Sequence, residues 1–186
     1  LSLRRQRQMC IRDSLWVVKE RYGAGSQNLG LKLTTQEALH HAKTMQCPLY
    51  QPFVQGTEIS VDAWLDKNSK LKGHICRYRT KVQHGESQIS QTVYLPQYDE
   101  WIKTLLEQLQ LTGPVVLQAI IDQHQQLHII ECNSRFGGAS TLGIKAGVDS
   151  LYWSLAESMA IDITQLPFTP AKQTITQVRY AGDLYL

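Results

Sequence analysis

Several features that mark other protein classes are scarce in this sequence of 186 residues. No apolar run approaches the ~18 residues that a membrane-spanning helix needs, so no membrane association is expected. The four cysteines are widely spaced and form neither a disulfide framework nor a zinc-binding pattern. Reduced thiols in a cytoplasmic protein are the favoured interpretation. Internal repeats are also absent, and the length suits one sizeable domain or two small lobes.

Excess charge is confined to the start of the chain. The whole sequence has 19 basic and 16 acidic residues, and Leu1–Ser14 contains four arginines against one aspartate. Residues 15–186 are therefore neutral and give no electrostatic reason to bind nucleic acid. The arginine-rich leader lacks the serine-rich, amphipathic character of a transit peptide and resembles translated sequencing-adapter read-through. We expect residues 1–14 to be non-native and to lie outside the fold.

The most informative stretch is HIIECNSRFGG, residues 128–138. Branched apolar residues lead directly into a polar cluster, which predicts a strand. Because side chains alternate along a strand, Glu131 and Asn133 are expected on the same face. Carboxylate and amide oxygens suit Mg²⁺ or Mn²⁺ rather than Zn²⁺. Arg135 adds a permanent cation, and the two following glycines let backbone N–H groups approach a ligand closely.

The preceding segment, 115–122, is predicted to form a hairpin with this strand. If Asp122 pairs with Leu127, Gln118 lies opposite Glu131, and directly opposed residues share a face. Gln118, Glu131 and Asn133 would then form one oxygen-rich patch, which a register slip of one residue would destroy. The alternative is an ordinary hairpin edge with three solvated polar groups. The apolar residues on both faces favour the patch, since they predict that both faces are partly covered.

A second candidate site begins at Lys19. Residues 15–19 read as a strand, and a glycine-rich polar loop continues to Gly30. Such a loop can wrap phosphates with backbone N–H groups, and Lys19 and Arg21 add positive charge at its base. The loop is not a P-loop, because Gly-Lys-Ser/Thr does not end the glycine run. An ordinary hairpin loop is the alternative.

The remaining patterns predict an α+β fold with antiparallel strands. A capping box at Thr34–Glu37 predicts a helix to about Met45, and alternation predicts a strand with Glu58, Ser60 and Asp62 on its polar face. Further strands are predicted at 48–54, 71–79, 89–95 and 175–180, helices at 98–109 and 150–160 (the latter capped by Asp149), and a small-residue loop at 139–147. Arg77 and Arg79 would bind an anionic group or be surface arginines at a strand end.

Three stretches carry a resemblance to a known family: VVK (17–19) with its Gly-Ala-Gly-Ser loop, QPFVQGTE (51–58), and Gln118 with ECNSRFGG (131–138). Together they resemble the ATP-grasp superfamily, closest to the branch of the carbamoyl phosphate synthase large subunit. The resemblance implies mostly antiparallel sheets with flanking helices, arranged as two lobes gripping ATP. Residues 15–56 would be a partial small lobe and residues 57–186 the C-terminal lobe. A substrate-binding domain that normally precedes them is missing, so we expect an N-terminally truncated fragment.

The resemblance also assigns roles to single residues. It implies phosphate contact and catalysis by Lys19, a closing loop with Gly23, Gly25 and Ser26, adenine contacts at Gln51, Phe53 and Val54, ribose binding by Glu58, metal binding by Gln118, Glu131 and Asn133, a catalytic Arg135 facing the transferred phosphate, and a substrate loop at residues 137–141. Gln118 stands where many members carry a carboxylate, which weakens one metal position.

Residues and resemblance agree on one activity, an ATP- and Mg²⁺- (or Mn²⁺-) dependent ligase. A carboxylate would attack the γ-phosphate of ATP, and an amine or similar nucleophile would displace phosphate from the acyl phosphate. The expected partners are these small molecules, not nucleic acid or membrane, and a homodimer is left open. The alternatives are a phosphotransferase that stops after phosphoryl transfer and a non-catalytic nucleotide-binding module. Release of ADP only when both a carboxylate and an amine are present would distinguish the ligase from these two alternatives.

Overall fold

The computed structural model describes residues 14–22, 28–83 and 85–180, and the chain divides into two units between Gln55 and Gly56. The first unit contains β1 (Trp16–Glu20), β2 (Gly30–Leu33), α1 (Thr35–Ala42) and β3 (Pro48–Pro52). The second contains β4 (Gly56–Leu65), β5 (Leu71–Gln83), β6 (Glu86–Val93), α2 (Asp99–Gln108), β7 (Gly113–Asp122), β8 (Leu127–Asn133), α3 (Ser140–Lys145), α4 (Ser150–Ser158) and β9 (Thr176–Val178). Among these described residues, no helix has the length and apolar character to cross a membrane.

The first unit is a three-stranded antiparallel sheet in the order β2-β1-β3, packed against α1. The predicted capping box begins this helix: the Thr34 backbone N–H donates to Glu37 Oε2 at 2.8 Å, and Thr34 Oγ1 accepts from the Glu37 N–H. Val18 of β1 is fully buried against Ala38 and Ala42 of the helix. Small residues on α1 therefore let the helix lie close to the sheet.

Lys19 and Gln51 lie on the other face of this sheet. Val17 pairs with Gln51 and Lys19 pairs with Leu49, while Val18, which faces α1, lies between them on β1. Because neighbouring residues of a strand point to opposite faces, Lys19 and Gln51 share the face that α1 does not cover. The glycine loop that follows β1 lies at residues 23–27, outside the described part of the chain, and the same holds for residues 1–13 of the leader.

The second unit is a six-stranded antiparallel sheet in the order β8-β7-β4-β5-β6-β9. The predicted antiparallel arrangement is therefore confirmed. One face of the sheet is apolar and packs against α2, whose Ile102 and Leu106 are fully buried against Ile59, Val61 and Leu117. The clean alternation of β4 produces this result, since its odd-numbered residues all face the core.

The opposite face of this sheet has two different halves. At one end Trp64 packs edge-on against Trp153 of α4, which in turn contacts Phe168. At the other end the same face carries charged and amide side chains from β4, β5, β7 and β8. We call this second part the polar half, defined by Glu58, Ser60, Asp62, Arg77, Arg79, Gln118, Glu131 and Asn133.

One prediction for the segment after β8 is wrong, since the small-residue loop at 139–147 contains the helix α3. Asp149 occupies the N-cap position of α4 as predicted, but its side chain makes no capping hydrogen bond. The small residues serve close packing rather than a loop: a Cβ on Gly143 would lie 2.9 Å from the Cβ of Asp62. Glycine at this position therefore lets α3 rest directly on β4.

Candidate functional site

The β7–β8 hairpin brings together the residues of the predicted oxygen-rich patch. Gln118 pairs with Glu131 and Val116 pairs with Asn133, which is the predicted register. Nearer the turn the prediction is wrong by one residue, since Ala119 pairs with Ile129 and Ile121 with Leu127. The shift between these two stretches is a β-bulge, with one extra residue on β8.

The hairpin turn explains this local error. Asp122 closes the turn by bonding to Gln126, one residue earlier than predicted, through its backbone N–H at 3.0 Å. Asp122 Oδ1 also accepts from the backbone N–H groups of His124 and Gln126, both at 2.8 Å. Gln125 adopts the left-handed conformation with φ 59°. The aspartate thus favours a tighter turn, and the bulge restores the register that the patch requires.

We expect the hairpin to lose stability in acid. The hydrogen bond from His128 Nε2, 2.8 Å from Asp122 Oδ2, and the backbone N–H of Gln126 lower the pKa of Asp122 below its ordinary value of 3.8. A carboxyl group whose pKa is lower in the folded than in the unfolded state stabilises the fold at pH values above its unfolded-state pKa. That stability is lost as the pH falls through the folded-state pKa. Urea denaturation at neutral pH and at successively lower pH through the ordinary value of 3.8 measures this loss. Asp122→Asn, which cannot titrate, is the control; an equal pH dependence in that variant would contradict the assignment.

Glu131 and Asn133 form a bonded pair on the polar half. Asn133 Nδ2 donates to Glu131 Oε1 at 2.9 Å, and Glu131 is exposed. Gln118 lies opposite Glu131 on β7, so the structure brings the three predicted residues onto one face. The amide oxygen of Gln118, however, accepts a hydrogen bond from Arg79 Nη1 at 3.0 Å.

Arg79 holds several strands of the polar half together. Its Nη1 also donates to Glu58 Oε1, its Nε donates to Ser87 Oγ at 3.0 Å, and its Nη2 donates to the carbonyl of Gly85 at 2.7 Å. The Arg79 side chain is 8% exposed, while the Glu58 side chain is 37% exposed. The alternative of a surface arginine at a strand end is therefore wrong for Arg79.

Arg77 and Asp62 form a buried ion pair beneath α3. Arg77 Nε donates to Asp62 Oδ2 at 2.7 Å, and the two side chains are 4% and 5% exposed. Ser140 Oγ, at the start of α3, lies 3.4 Å from Asp62 Oδ1 and can donate to it. Burial raises the pKa of Asp62, and the Arg77 guanidinium opposes this shift. The surface alternative is wrong for Arg77 as well.

The predicted substrate loop, residues 137–141, is held at both ends. The Gly137 N–H donates to Ser140 Oγ at 2.8 Å, and Gln177 Nε2 of β9 donates to Thr141 Oγ1 at 2.6 Å. A Cβ on Gly138 would lie 3.1 Å from Nη1 of Arg179, which also forms an ion pair with Glu86 at 2.9 Å. Glycine at position 138 therefore permits a guanidinium to lie against the loop.

The other predicted site residues are distributed over both units. Exposed Arg135 follows β8, and its Nη1 donates to the carbonyl of Phe136 at 3.1 Å. In the first unit the N–H of Phe53 donates to the carbonyl of Leu15 at 2.8 Å, and Lys32 Nζ lies 5.2 Å from the centre of the Phe53 ring. Val54 follows β3 and is half-buried.

The sequence patterns predicted no role for Asp62, Gln177 or Arg179, and they included Ser140 only as part of the substrate loop. The alternation of β4 placed Asp62 on the polar face and was the available signal for this residue. Its partner Ser140 is 78 residues away, and Thr141 and Gln177 are 36 apart, so no local pattern connects them. These contacts depend on sheet order, which the sequence does not display.

A small helix-backed sheet and a larger antiparallel sheet with one polar half together define an ATP-grasp fold. The family model for ATP-grasp in the biosynthetic pathway with Ter operon matches residues 44–182. The chain therefore belongs to this ATP-grasp family. A sequence comparison with curated proteins gave no match.

Solved structures show the same fold. The biotin carboxylase domain dimer of Hydrogenobacter thermophilus 2-oxoglutarate carboxylase, in complex with MgADP, ADP and bicarbonate, matches with a TM-score of 0.66 and 14% identity, over 83% of this chain and 38% of that one. N5-carboxyaminoimidazole synthetase from Staphylococcus aureus matches with a TM-score of 0.55 and 15% identity, over 78% and 40%. L-amino acid ligase from Bacillus licheniformis matches with a TM-score of 0.50 and 15% identity, over 68% and 33%. The chain thus spans well under half the length of these structures.

Proposed function

We propose that the protein is an ATP- and Mg²⁺-dependent ligase that activates a carboxylate as an acyl phosphate. The Glu131–Asn133 pair on the polar half is the observation that carries this proposal. An exposed carboxylate beside an amide oxygen is a donor set that suits a hard divalent cation. The pair lies within the ATP-grasp family match, and the Hydrogenobacter structure with MgADP supports the choice of nucleotide and metal.

Mg²⁺ or Mn²⁺ would be held by Glu131 and Asn133, and the bound cation would neutralise charge on the ATP phosphates. Arg135, exposed just after β8, contributes a permanent positive charge near the transferred phosphate. The other residues would mainly orient the reactants, because phosphoryl transfer requires little covalent chemistry from the protein. The loop at residues 137–141 would hold the carboxylate substrate.

The resemblance also implies roles in nucleotide binding for several residues. Lys19 would contact the phosphates, with Gly23, Gly25 and Ser26 in the closing loop. Gln51 and Phe53 would offer backbone groups to the adenine, with Val54 nearby; the Phe53 N–H already donates to the carbonyl of Leu15. Glu58 would bind the ribose hydroxyls.

We further propose that the chain belongs to the branch of the carbamoyl phosphate synthase large subunit. The strand end ECNSR and the two glycines that follow Phe136 support this proposal. The substrates would be a small-molecule carboxylate and an amine or similar nucleophile, in the cytoplasm. Neither nucleic acid nor membrane is among the proposed partners, and a homodimer is left open.

The test measures ADP release by the 186-residue chain with Mg²⁺, ATP and a panel of free amino acids and dicarboxylates, supplied singly and in pairs with an amine. A ligase releases ADP when both a carboxylate and an amine are present. Release with one acceptor alone would instead establish a phosphotransferase. Calorimetric binding of MgADP with no release under any pairing would establish a nucleotide-binding module, and absence of both would overturn the proposal.

Lys19→Ala is expected to weaken nucleotide affinity by about 10- to 100-fold, because a charge-assisted hydrogen bond to phosphate is worth about 1.5–3 kcal/mol. Isothermal titration calorimetry with MgADP measures this change. Lys43→Ala, which removes an exposed lysine at the end of α1 in the same unit, is the matched control. Equal affinities of the two variants would remove Lys19 from the site.

A further inference from the structure

The guanidinium of Arg79 lies where the polar half was expected to hold a metal. Arg79 belongs to β5 and Gln118 to β7, and β4 separates these strands in the sheet. The side chain therefore crosses β4 to reach the Gln118 amide oxygen, 3.0 Å from Nη1. The same Nη1 donates to Glu58. Both N–H groups on this nitrogen are thus directed at residues that the resemblance assigned to nucleotide and metal.

This guanidinium is fixed in place. Nε is bonded to Ser87 and Nη2 to the Gly85 carbonyl, so each of its nitrogens has an acceptor. The side chain is almost fully buried, and its carboxylate partner Glu58 is the more exposed member of the pair. Because arginine does not lose its proton in proteins, the positive charge is permanent.

A fixed cation at this point changes the metal chemistry of the polar half. A divalent cation binds an amide through the oxygen, and the oxygen of Gln118 already accepts an N–H from a guanidinium. A metal on that oxygen would also lie beside a like charge in a partly buried setting, where repulsion is weakly screened. The Glu131–Asn133 pair, on the neighbouring strand β8, has no such cation bonded to its carboxylate in the described part of the chain.

We propose that Arg79 replaces a metal ion: it removes Gln118 from the set of metal ligands, so that one divalent cation, held by Glu131 and Asn133, binds with each nucleotide. Arg79 is a positioning residue that orients the Glu58 carboxylate and the Gln118 amide. The inference rests on the proposed nucleotide-dependent function and corrects one of its predicted ligands.

Mn²⁺ titration followed by electron paramagnetic resonance, with the 186-residue chain and saturating ADP, gives the number of bound cations. The expected number is one Mn²⁺ above that bound by ADP-free protein. Two would overturn the inference while leaving nucleotide binding intact. If Mn²⁺ does not promote ADP binding at all, the proposed function fails first, so the two failures are distinguishable.

Single substitutions show which side chains bind the metal. Glu131→Gln is expected to weaken Mn²⁺ affinity at least about 10-fold, the lower end of effects seen when metal sites are perturbed. Gln118→Ala should change it less than about twofold, since its oxygen does not hold the metal. Equal losses in both variants would make Gln118 a ligand and overturn the inference.

Variants of Arg79 test the role of its charge. Arg79→Met frees the oxygens of Glu58 and Gln118 and removes the like charge, so a second, weaker Mn²⁺ is expected. Arg79→Lys keeps the charge and should bind one, which makes it the matched control. A single Mn²⁺ in a folded Arg79→Met, checked by circular dichroism, would contradict the proposal. If Arg79→Met does not fold, the wild-type number and the Gln118→Ala affinity still decide.

Discussion

Glu131→Gln is expected to lower ADP release by about 100-fold or more while leaving the protein folded. The substitution keeps the shape of the side chain and its hydrogen bond to Asn133 but removes the negative charge that, under the proposed function, would attract the cation. Glu131 is exposed, so the free energy of unfolding should change by less than about 0.5 kcal/mol. Steady-state ADP release and urea denaturation measure the two quantities.

Glu100→Gln is the matched control for this prediction. Glu100 is exposed in the first turn of α2, on the apolar side of the same sheet, and its loss changes the net charge equally. Its activity should equal that of the wild type. Full activity in Glu131→Gln would show that this carboxylate does not bind the metal. An equal loss of activity in both variants would show a general effect of charge.

Asp62→Ala is expected to destabilise the second unit by about 3–5 kcal/mol, because it leaves the Arg77 guanidinium buried without a counter-charge. This loss is a large share of the ~5–15 kcal/mol that stabilises a typical domain. It also removes the acceptor of Ser140, so the start of α3 is released from β4. Urea denaturation followed by tryptophan fluorescence measures the change, since Trp64 and Trp153 lie in this unit.

Two further variants test whether this loss of stability comes from leaving a buried charge unpaired. Glu107→Ala breaks an ion pair with Lys70 in which the side chains of Lys70 and Glu107 are 68% and 21% exposed, and it should cost no more than about 1 kcal/mol. The double substitution Asp62→Leu with Arg77→Met removes both charges and should recover most of the lost stability. A loss from Asp62→Ala as small as that from Glu107→Ala would show that the pair is not buried in solution.

The parts of the site that sequence predicts correctly are those that depend on alternation. Glu131 and Asn133 are two residues apart on a strand, so the pleat alone puts them on one face. Their register with Gln118 needed the additional assumption of the turn, which was wrong by one residue and was corrected by the bulge. The capping box of α1 was predictable for a similar reason, since its two hydrogen bonds join residues three apart.

The parts that sequence misses depend on strands that meet only in the folded sheet. Arg79 reaches Gln118, 39 residues away, because β5 and β7 both flank β4. The pattern at 139–147 suggested a loop because glycine and alanine also mark turns, and the distinction lay in the Asp62 surface against which Gly143 packs. Charged side chains at a strand end look the same in sequence whether they are solvated or bonded.

Strand β9 has a consequence for how this unit folds during synthesis. The Arg179–Glu86 ion pair joins residues 93 positions apart, and the Ile175 N–H donates to Thr92 across 83 positions. A ribosome releases residues 137–141 well before β9, so until β9 has been made Thr141 cannot contact Gln177, and Gly138 cannot contact the guanidinium of Arg179. The edge of β6 also stays unpaired for that interval, when a newly made chain is most exposed to wrong strand pairing. Residues 137–141 thus acquire these contacts only after β9 has been synthesised.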